Sequence, residues 1–197
     1  KKWIIVVFEV REGRYVFSFY SSENLIDWTF MSCVKDFYEC PDFYRIKVEN
    51  EFIYKWVLVA ANGRFVVGTF DGERFFPETD ITVSDLGTAS YAGQNWLNSP
   101  DGRILNICWL CTDKKADAPF CQGMTVVTEL KLVRVPDGYR LYRCPIEELT
   151  SLRKNSKKIK TSVKSGSPYE FTLTEPCEIQ ITLHKTKGRV HFTVGRQ

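Results

Sequence analysis

The segment Lys55–Val59, KWVLV, restates Lys2–Val6, KWIIV, and the turn that follows is restated as well. Gly63–Val66 reads GRFV where Gly13–Val16 reads GRYV. Both echoes are displaced by roughly 50 residues, a period typical of propeller blades. In each copy a β-branched and aromatic run leads through a glycine turn into a second such run, a pattern that predicts a β-hairpin.

Outward from the first copy, the sequence predicts three strands. Trp3–Val10 is an uninterrupted β-branched and aromatic run, which we interpret as a buried strand. Tyr15–Tyr20 forms the second strand. Trp28–Val34 returns as the third after the polar loop Ser21–Asp27.

A third unit follows the two echoed ones, and four short antiparallel strands per unit are typical of a blade. Its predicted strands are Tyr91–Leu97, Arg103–Cys111, Met124–Val135 and Tyr139–Cys144. Turns are marked at Asp71–Gly72, Pro100–Gly102 and Pro136–Gly138, and one helical turn is expected around Ile146–Arg153.

The fold class is therefore all-β, and two architectures compete. A β-sandwich also shows strands at regular spacing. The apolar second strand of each unit favours a propeller, since inner blade strands are covered on both faces. We predict a partial propeller of about three blades over residues 1–149, a linker over 150–166, and the start of a β-sandwich over 167–197. The sandwich rests on alternation such as Ile179, Ile181 and Leu183.

Composition limits the partners. The chain has 197 residues, of which 44% are hydrophobic and 14% aromatic, enough for a packed core. The net charge is only +3, with much of the basic excess in the run Arg153–Lys160, so we predict no nucleic-acid surface. No apolar run approaches the roughly 20 residues of a membrane helix, so no membrane partner is expected.

The seven cysteines are scattered, and no asparagine glycosylation sequon is present, which favours a cytoplasmic protein. Cys108 and Cys111 have the CxxC spacing of metal sites. They lie in a predicted strand, however, where residues three apart point to opposite faces, and a zinc site needs four convergent ligands. We predict no metal site and no cofactor.

The stretch Phe37–Tyr44, FYECPDFY, places Glu39 and Asp42 among aromatic rings. Burial beside such rings disfavours the ionised form of a carboxyl group, which makes Glu39 a candidate proton donor near neutral pH. In the simpler alternative, Asp42 solvates a turn and Glu39 is a surface residue.

Several motifs occur in an order and spacing that resemble the family 32 glycoside hydrolases, the invertases, levanases, inulinases and sucrose-6-phosphate hydrolases. They are Tyr20–Trp28 (YSSENLIDW), Tyr38–Asp42 (YECPD), Asp85–Ala92 (DLGTASYA), Gly102–Trp109 (GRILNICW), Met124–Leu130 and Leu141–Leu149. The ECP motif is the most specific part of the resemblance, which covers essentially the whole chain.

The resemblance implies a five-bladed propeller with a C-terminal β-sandwich that hydrolyses β-fructosides with retention of configuration. Glu39 inherits the role of general acid and then base, and Cys40 would help to tune it. Asp85, Tyr91 and Trp109 fall at or near positions that shape the fructose pocket, and Asp42, inside the motif, is placed with Cys40 among the substrate-binding residues. For Trp109, blade packing is an equally good interpretation.

The sequence also departs from the family. The nucleophilic aspartate belongs to a WMNDPNG-like motif and a second essential aspartate to an RDP motif, yet no Asp-Pro pair occurs in these residues. The Leu-Pro-Arg element of the last blade is replaced by Val126, Val127 and Thr128.

Two explanations are open. Either these residues are the later portion of a longer enzyme, completed by the missing N-terminal portion or by another chain, or this is a non-catalytic carbohydrate-binding relative. A related enzyme acting on arabinose- or xylose-containing polymers is disfavoured by the match at YSSENLIDW and YECPD. We expect the chain alone to be inactive on sucrose or levan.

Overall fold

The computed structural model describes residues 1–112, 119–173, 175, 177–184 and 187–194. The chain forms two units, Lys1–Arg153 and Lys154–Gln197. The first unit consists of three antiparallel sheets, formed in chain order.

The first sheet has the order β1-β2-β3, with β1 at Trp3–Arg11, β2 at Arg14–Ser22 and β3 at Thr29–Lys35. Glu12 and Gly13 form the two-residue turn between β1 and β2, with φ of 50° and 72°. A tight hairpin turn of the I′ type needs positive φ at both positions, which explains the glycine of the repeated GR element. The three strands predicted for this unit are confirmed within one or two residues.

The prediction that Trp3–Val10 is a buried strand was wrong. β1 lies at an edge of its sheet and alternates along its length. Ile4, Val6 and Phe8 pack against the core, whereas the side chains on the opposite face are exposed, namely Trp3, Ile5 and Val7. The buried strand is β2, whose central residues are covered on both faces.

The second sheet has the order β4-β5-β6-β7, and β8 also pairs with β6. Its strands are β4 at Asp42–Lys47, β5 at Tyr54–Val59, β6 at Arg64–Phe70, β7 at Phe75–Pro77 and β8 at Thr82–Val83. The echoed segments thus occupy equivalent strands, since β5 and β6 pair as β1 and β2 do.

The third sheet has the order β11-β10-β12-β13, with β9 paired to β10. Its strands are β9 at Ser90–Trp96, β10 at Leu105–Leu110, β11 at Gly123–Met124, β12 at Thr128–Val135 and β13 at Gly138–Pro145. The four predicted strands are confirmed, with the third divided into β11 and β12. A 3₁₀ helix spans Glu147–Leu152, where a helical turn was predicted.

Two apolar clusters join the sheets. Between the first and second sheets lie Phe17 and Phe19 of β2 with Leu58 and Val66. Between the second and third sheets lies a cluster of residues from β4, β5, β6, β12 and β13: Tyr44, Ile46, Val57, Phe65, Val67, Leu130, Leu132, Tyr139 and Leu141. The middle sheet is therefore covered on both faces, as expected of a blade within a propeller.

Beyond Arg153 the described residues contain no strand, only one isolated bridge between Lys164 and Ser167. The predicted linker and sandwich stay predictions. No helix in the described part of the chain is long and apolar enough to cross a membrane.

Phe17 is the sharpest test of the packing between the first two sheets. It is 0% exposed and stacks on Phe37 with 5.2 Å between ring centroids. We expect Phe17→Ala to lower the free energy of unfolding by about 3–5 kcal/mol through lost burial and a residual cavity. Denaturant titration of the wild type and the variant measures this change in the free energy of unfolding. Phe52→Ala, at a position 99% exposed, should change it by only about 0.5 kcal/mol; equal losses in both variants would contradict this packing.

Candidate active site around Glu39

The loop between β3 and β4 carries Glu39 in an unusual backbone conformation. Glu39 and Cys40 have φ of 51° and 44°, so two consecutive non-glycine residues are left-handed. Each such residue costs on the order of 1–3 kcal/mol and persists only where its surroundings hold it. The loop is therefore held by contacts that outweigh this strain.

Two backbone hydrogen bonds through Ala61 provide such contacts. The Ala61 N–H donates to the Glu39 carbonyl at 3.0 Å, and the Ala61 carbonyl accepts from the Ala92 N–H at 2.8 Å. Ala61 follows β5, and Ala92 lies in β9 with φ of 48°. One residue thus joins the Glu39 loop of the second sheet to the strand that carries Tyr91.

The Tyr91 hydroxyl donates a hydrogen bond to Oε2 of Glu39 at 2.8 Å. Burial, together with the Glu39 carboxylate, raises the pKa of Tyr91 to about 12, so the hydroxyl remains a donor through the physiological range. The same carboxylate raises the pKa of Tyr38. Glu39 itself is half-buried, and its two phenol neighbours are both protonated.

Trp109 lies next to Tyr91 across the β9–β10 pairing. The two ring centroids are 6.3 Å apart at an interplanar angle of 70°, an edge-to-face arrangement. Trp109 is 40% exposed, so its ring is not simply packed inside a blade. Three of the predicted site residues, Glu39, Tyr91 and Trp109, thus lie next to one another.

Cys40 is half-buried, and burial together with the Glu39 carboxylate raises the pKa of its thiol. At neutral pH it is therefore a neutral neighbour of Glu39, unable to act as a thiolate nucleophile.

Asp42 begins β4, and its Oδ2 is buried. Burial raises the pKa of Asp42 to about 6, although the Asn95 and Phe43 backbone N–H groups favour its ionised form. Within FYECPDFY, Asp42 is thus a carboxyl whose ionisation is opposed by its surroundings.

Asp85 lies in the loop before β9 and forms an ion pair with Arg143 at 3.1 Å. The Arg143 guanidinium also contacts Ser84, Ser90 and the sulfur of Cys108. Asp85 is therefore anchored to β13 by a cation that sequence reasoning did not identify. The signal that could have found Arg143 is its register in β13, where it follows Tyr139 and Leu141 at alternate positions and so lies on the buried side, where a cation must have a partner.

Among the described residues, no group of three or more histidine, cysteine, aspartate or glutamate side chains could hold a metal ion. Cys108 is buried beside Arg143, whereas Cys111 follows the end of β10 and is only half-buried.

A carboxyl group that accepts a hydrogen bond from a phenol, beside an exposed tryptophan ring, can take part in acid–base chemistry. Residues 1–145 match the family described as glycosyl hydrolases family 32 N-terminal domain. The chain belongs to this family, whose members are glycoside hydrolases, and the predicted resemblance is confirmed.

Three curated relatives are similar to this chain in sequence. The chain is 29% identical to a levanase of Bacillus subtilis over 81% of the chain and 27% of that protein. It is 27% identical to an invertase of Schizosaccharomyces pombe over 98% of the chain and 38% of that protein. A sucrose-6-phosphate hydrolase of Zymomonas mobilis is 24% identical over 87% of the chain and 38% of that protein. The chain thus spans between a quarter and two fifths of the length of these relatives.

Solved structures share the fold. Fructan 1-exohydrolase IIa from Cichorium intybus matches with a TM-score of 0.66 and 22% identity, over 78% of this chain and 34% of that one. A β-fructofuranosidase of Bombyx mori matches with a TM-score of 0.58 and 21% identity, over 79% and 37%. The all-β, propeller-type prediction is confirmed at that level, and the number of blades stays a prediction.

Asp42 gives a pH-dependent prediction. Its folded-state pKa is raised from 3.8 to about 6, so the folded state binds more protons than the unfolded state between these values. Stability due to Asp42 is therefore present at low pH and lost as pH rises through about 6. We expect Asp42→Asn to become more stable than the wild type across this window, by up to roughly 3 kcal/mol above it.

Denaturant unfolding at several pH values from 4 to 7.5 measures the effect. Asp137→Asn is the control, because Arg140 holds the pKa of Asp137 below its usual value and the substitution should act in the opposite direction. A difference between Asp42→Asn and wild type that does not vary over this pH range would contradict the assignment.

Proposed function

We propose that this chain supplies the acid/base half of a retaining β-fructosidase, with Glu39 as the general acid and base. The observation that carries the proposal is the hydrogen bond from Tyr91 to Glu39 beside Trp109, within the ECP motif of a glycosyl hydrolase family 32 chain. The hydrogen bond fixes Oε2 of Glu39, and we assign the proton transfer to the other carboxyl oxygen.

In the first step, protonated Glu39 gives its proton to the leaving-group oxygen while a carboxylate nucleophile attacks the anomeric carbon. The glycosidic bond breaks, a glycosyl ester forms, and Glu39 is left ionised. The Tyr91 hydroxyl then donates to a carboxylate, and such charge-assisted bonds are stronger than neutral ones. Tyr91 therefore stabilises the charge that develops as the proton leaves.

In the second step, ionised Glu39 takes a proton from a water molecule that attacks the ester, which releases the sugar with retained configuration. Retention requires two carboxyl groups roughly 5 to 5.5 Å apart. The family's nucleophile and second aspartate are not among these residues, since the sequence holds no Asp-Pro pair. The complete site thus needs carboxylates from outside the 197 residues.

The substrate we propose is a β-fructoside such as sucrose, sucrose-6-phosphate or a fructan, the sugars named by the relatives' activities. Trp109 offers an exposed apolar ring beside the acid. We assign Cys40, Asp42 and Asp85 to shaping the sugar pocket with Tyr91 and Trp109. The ion pair with Arg143 gives Asp85 a fixed position for this role.

We also propose that further blades, from the missing N-terminal portion or another chain, complete a five-bladed ring. The repeat supports this. Trp56 stacks on Phe43 with 4.5 Å between ring centroids, in the cluster shared with the first sheet. Trp3, its equivalent, lies on the open face of β1 and is 37% exposed. A preceding sheet would cover Trp3 as the first sheet covers Trp56, and a strand paired to β1, as β4 is paired to β5, would remove the unpaired edge.

The alternative is a non-catalytic carbohydrate-binding relative, favoured by the absence of the Asp-Pro motifs. Such a protein would bind fructosides with Glu39 dispensable and would release no fructose even when the missing aspartates are supplied.

The decisive experiment combines the chain with an N-terminal segment bearing the two missing aspartates and follows fructose release from sucrose and levan. We expect no release from the chain alone, activity in the combination, and a loss of about a hundred- to ten-thousand-fold in Glu39→Gln, because proton transfer to the leaving group is removed.

Glu23→Gln, an exposed loop position, is the matched control and should retain full activity. Fructose release by the isolated chain, or undiminished activity of Glu39→Gln in the combination, would overturn the proposal. Binding of fructosides without any release would favour the alternative.

Tyr91→Phe tests the hydrogen bond itself. A bond to a charged group is worth about 1.5–3 kcal/mol, which corresponds to a loss of roughly ten- to hundredfold in the rate of fructose release. Tyr142→Phe removes a hydroxyl from an exposed position in β13 and should leave the rate unchanged. Equal rates in both variants would show that the Tyr91 hydroxyl does not act on Glu39.

A further inference from the structure

A small cavity lies behind the Glu39 loop, between the second and third sheets. Its volume is about 10 Å³, close to the smallest that holds one water molecule. The lining combines strand residues of both sheets, and the polar ones include Asp42, Tyr44, Asn95, Asn106 and Arg143. A polar lining distinguishes this cavity from the dry, apolar voids of protein cores.

Three buried polar atoms belong to this lining and have no hydrogen-bond partner among the residues that the structure describes. They are Oδ2 of Asp42, the hydroxyl of Tyr44 and Nε of Arg143. Buried polar groups are nearly always hydrogen-bonded, so three such atoms around one cavity call for a common partner. Tyr44 is only 2% exposed, which excludes bulk solvent as that partner.

We propose that this cavity is a binding site for a single structural water, held by Asp42, Tyr44 and Arg143. The water accepts a hydrogen bond from Arg143 Nε–H and donates one to Asp42 Oδ2. Its remaining lone pair accepts from the Tyr44 hydroxyl. Three partners match the usual coordination of buried water. This inference does not depend on the proposed function.

The charges around the site fit a bridging water. Arg143 is also paired with Asp85, so its guanidinium is divided between a direct ion pair and the cavity. Asn95 lies beside both groups, because its backbone N–H favours the ionised form of Asp42 and its side chain favours the ionised form of Tyr44, as a donor to the hydroxyl oxygen does; the hydroxyl proton of Tyr44 is left for the water. Cys108 contacts Arg143 from β10. A water at the centre lets the Asp42 carboxyl share the positive charge of Arg143 without a direct contact.

The site has a structural consequence for Glu39. Asp42 follows the ECP motif directly, whereas Arg143 lies in β13 of the third sheet, which also contains Tyr91. A water that joins Asp42 to Arg143 therefore adds a further connection between the Glu39 loop and the third sheet, beside the backbone bonds of Ala61 and the hydrogen bond from Tyr91 to Glu39.

The test is a crystal structure of the purified protein at neutral pH, at a resolution that places ordered water, together with a count of long-lived waters by magnetic relaxation dispersion. We expect one water peak within about 3 Å of all three atoms. Tyr44→Phe should lose one long-lived water. Tyr139→Phe, which removes a hydroxyl from the same apolar cluster but outside the cavity, should lose none.

A cavity without density, or a direct bond between Arg143 Nε and Asp42, would overturn the proposal. An equal water count in the wild type and Tyr44→Phe would do the same. The wild-type crystal alone decides the question if Tyr44→Phe does not fold.

Discussion

The structure around Glu39 depends on the two backbone hydrogen bonds of Ala61. One holds the carbonyl of Glu39 and the other holds the N–H of Ala92, next to Tyr91. Glu39, Cys40 and Ala92 all have positive φ, so the chain is strained where these bonds act. Because each left-handed residue costs free energy, the loop keeps this conformation only while the packed core holds the second and third sheets in place. In this strained conformation the Glu39 side chain accepts a hydrogen bond from Tyr91.

That spacing comes from the middle sheet, which is packed on both faces. Phe19 of the first sheet contacts Phe43 edge-to-face at 5.0 Å between ring centroids, and on the opposite side Val57 and Leu132 belong to the second cluster. Close-packed interiors are hardly compressible, so the two clusters fix the position of β4. The Glu39 loop that leads into β4 is fixed with it. The outer sheets lack this double support. The face of β1 that carries Trp3 is open.

Much of this could be predicted from sequence because strands and turns are local. The repeat at Lys55 predicted the hairpins, and the family resemblance selected Glu39, Tyr91 and Trp109, which the structure places next to one another. The burial of β1 was predicted wrongly because an apolar run does not reveal whether both faces have a neighbour. Arg143 and Ala61 were missed for another reason. Arg143 acts through its contact with Asp85, which lies 58 residues away in the sequence. Ala61 acts through its backbone N–H and carbonyl, which every residue type except proline has.

The most direct measurement is a crystal structure of the protein, completed by the segment that bears the missing aspartates, with an uncleaved fructoside bound. We expect one Glu39 carboxyl oxygen about 3 Å from the glycosidic oxygen, with Tyr91 still bonded to the other oxygen. A second carboxylate should face the anomeric carbon, roughly 5 to 5.5 Å from Glu39. A fructoside bound away from Glu39, or a glycosidic oxygen that faces another acid, would contradict the role of Glu39 as the general acid.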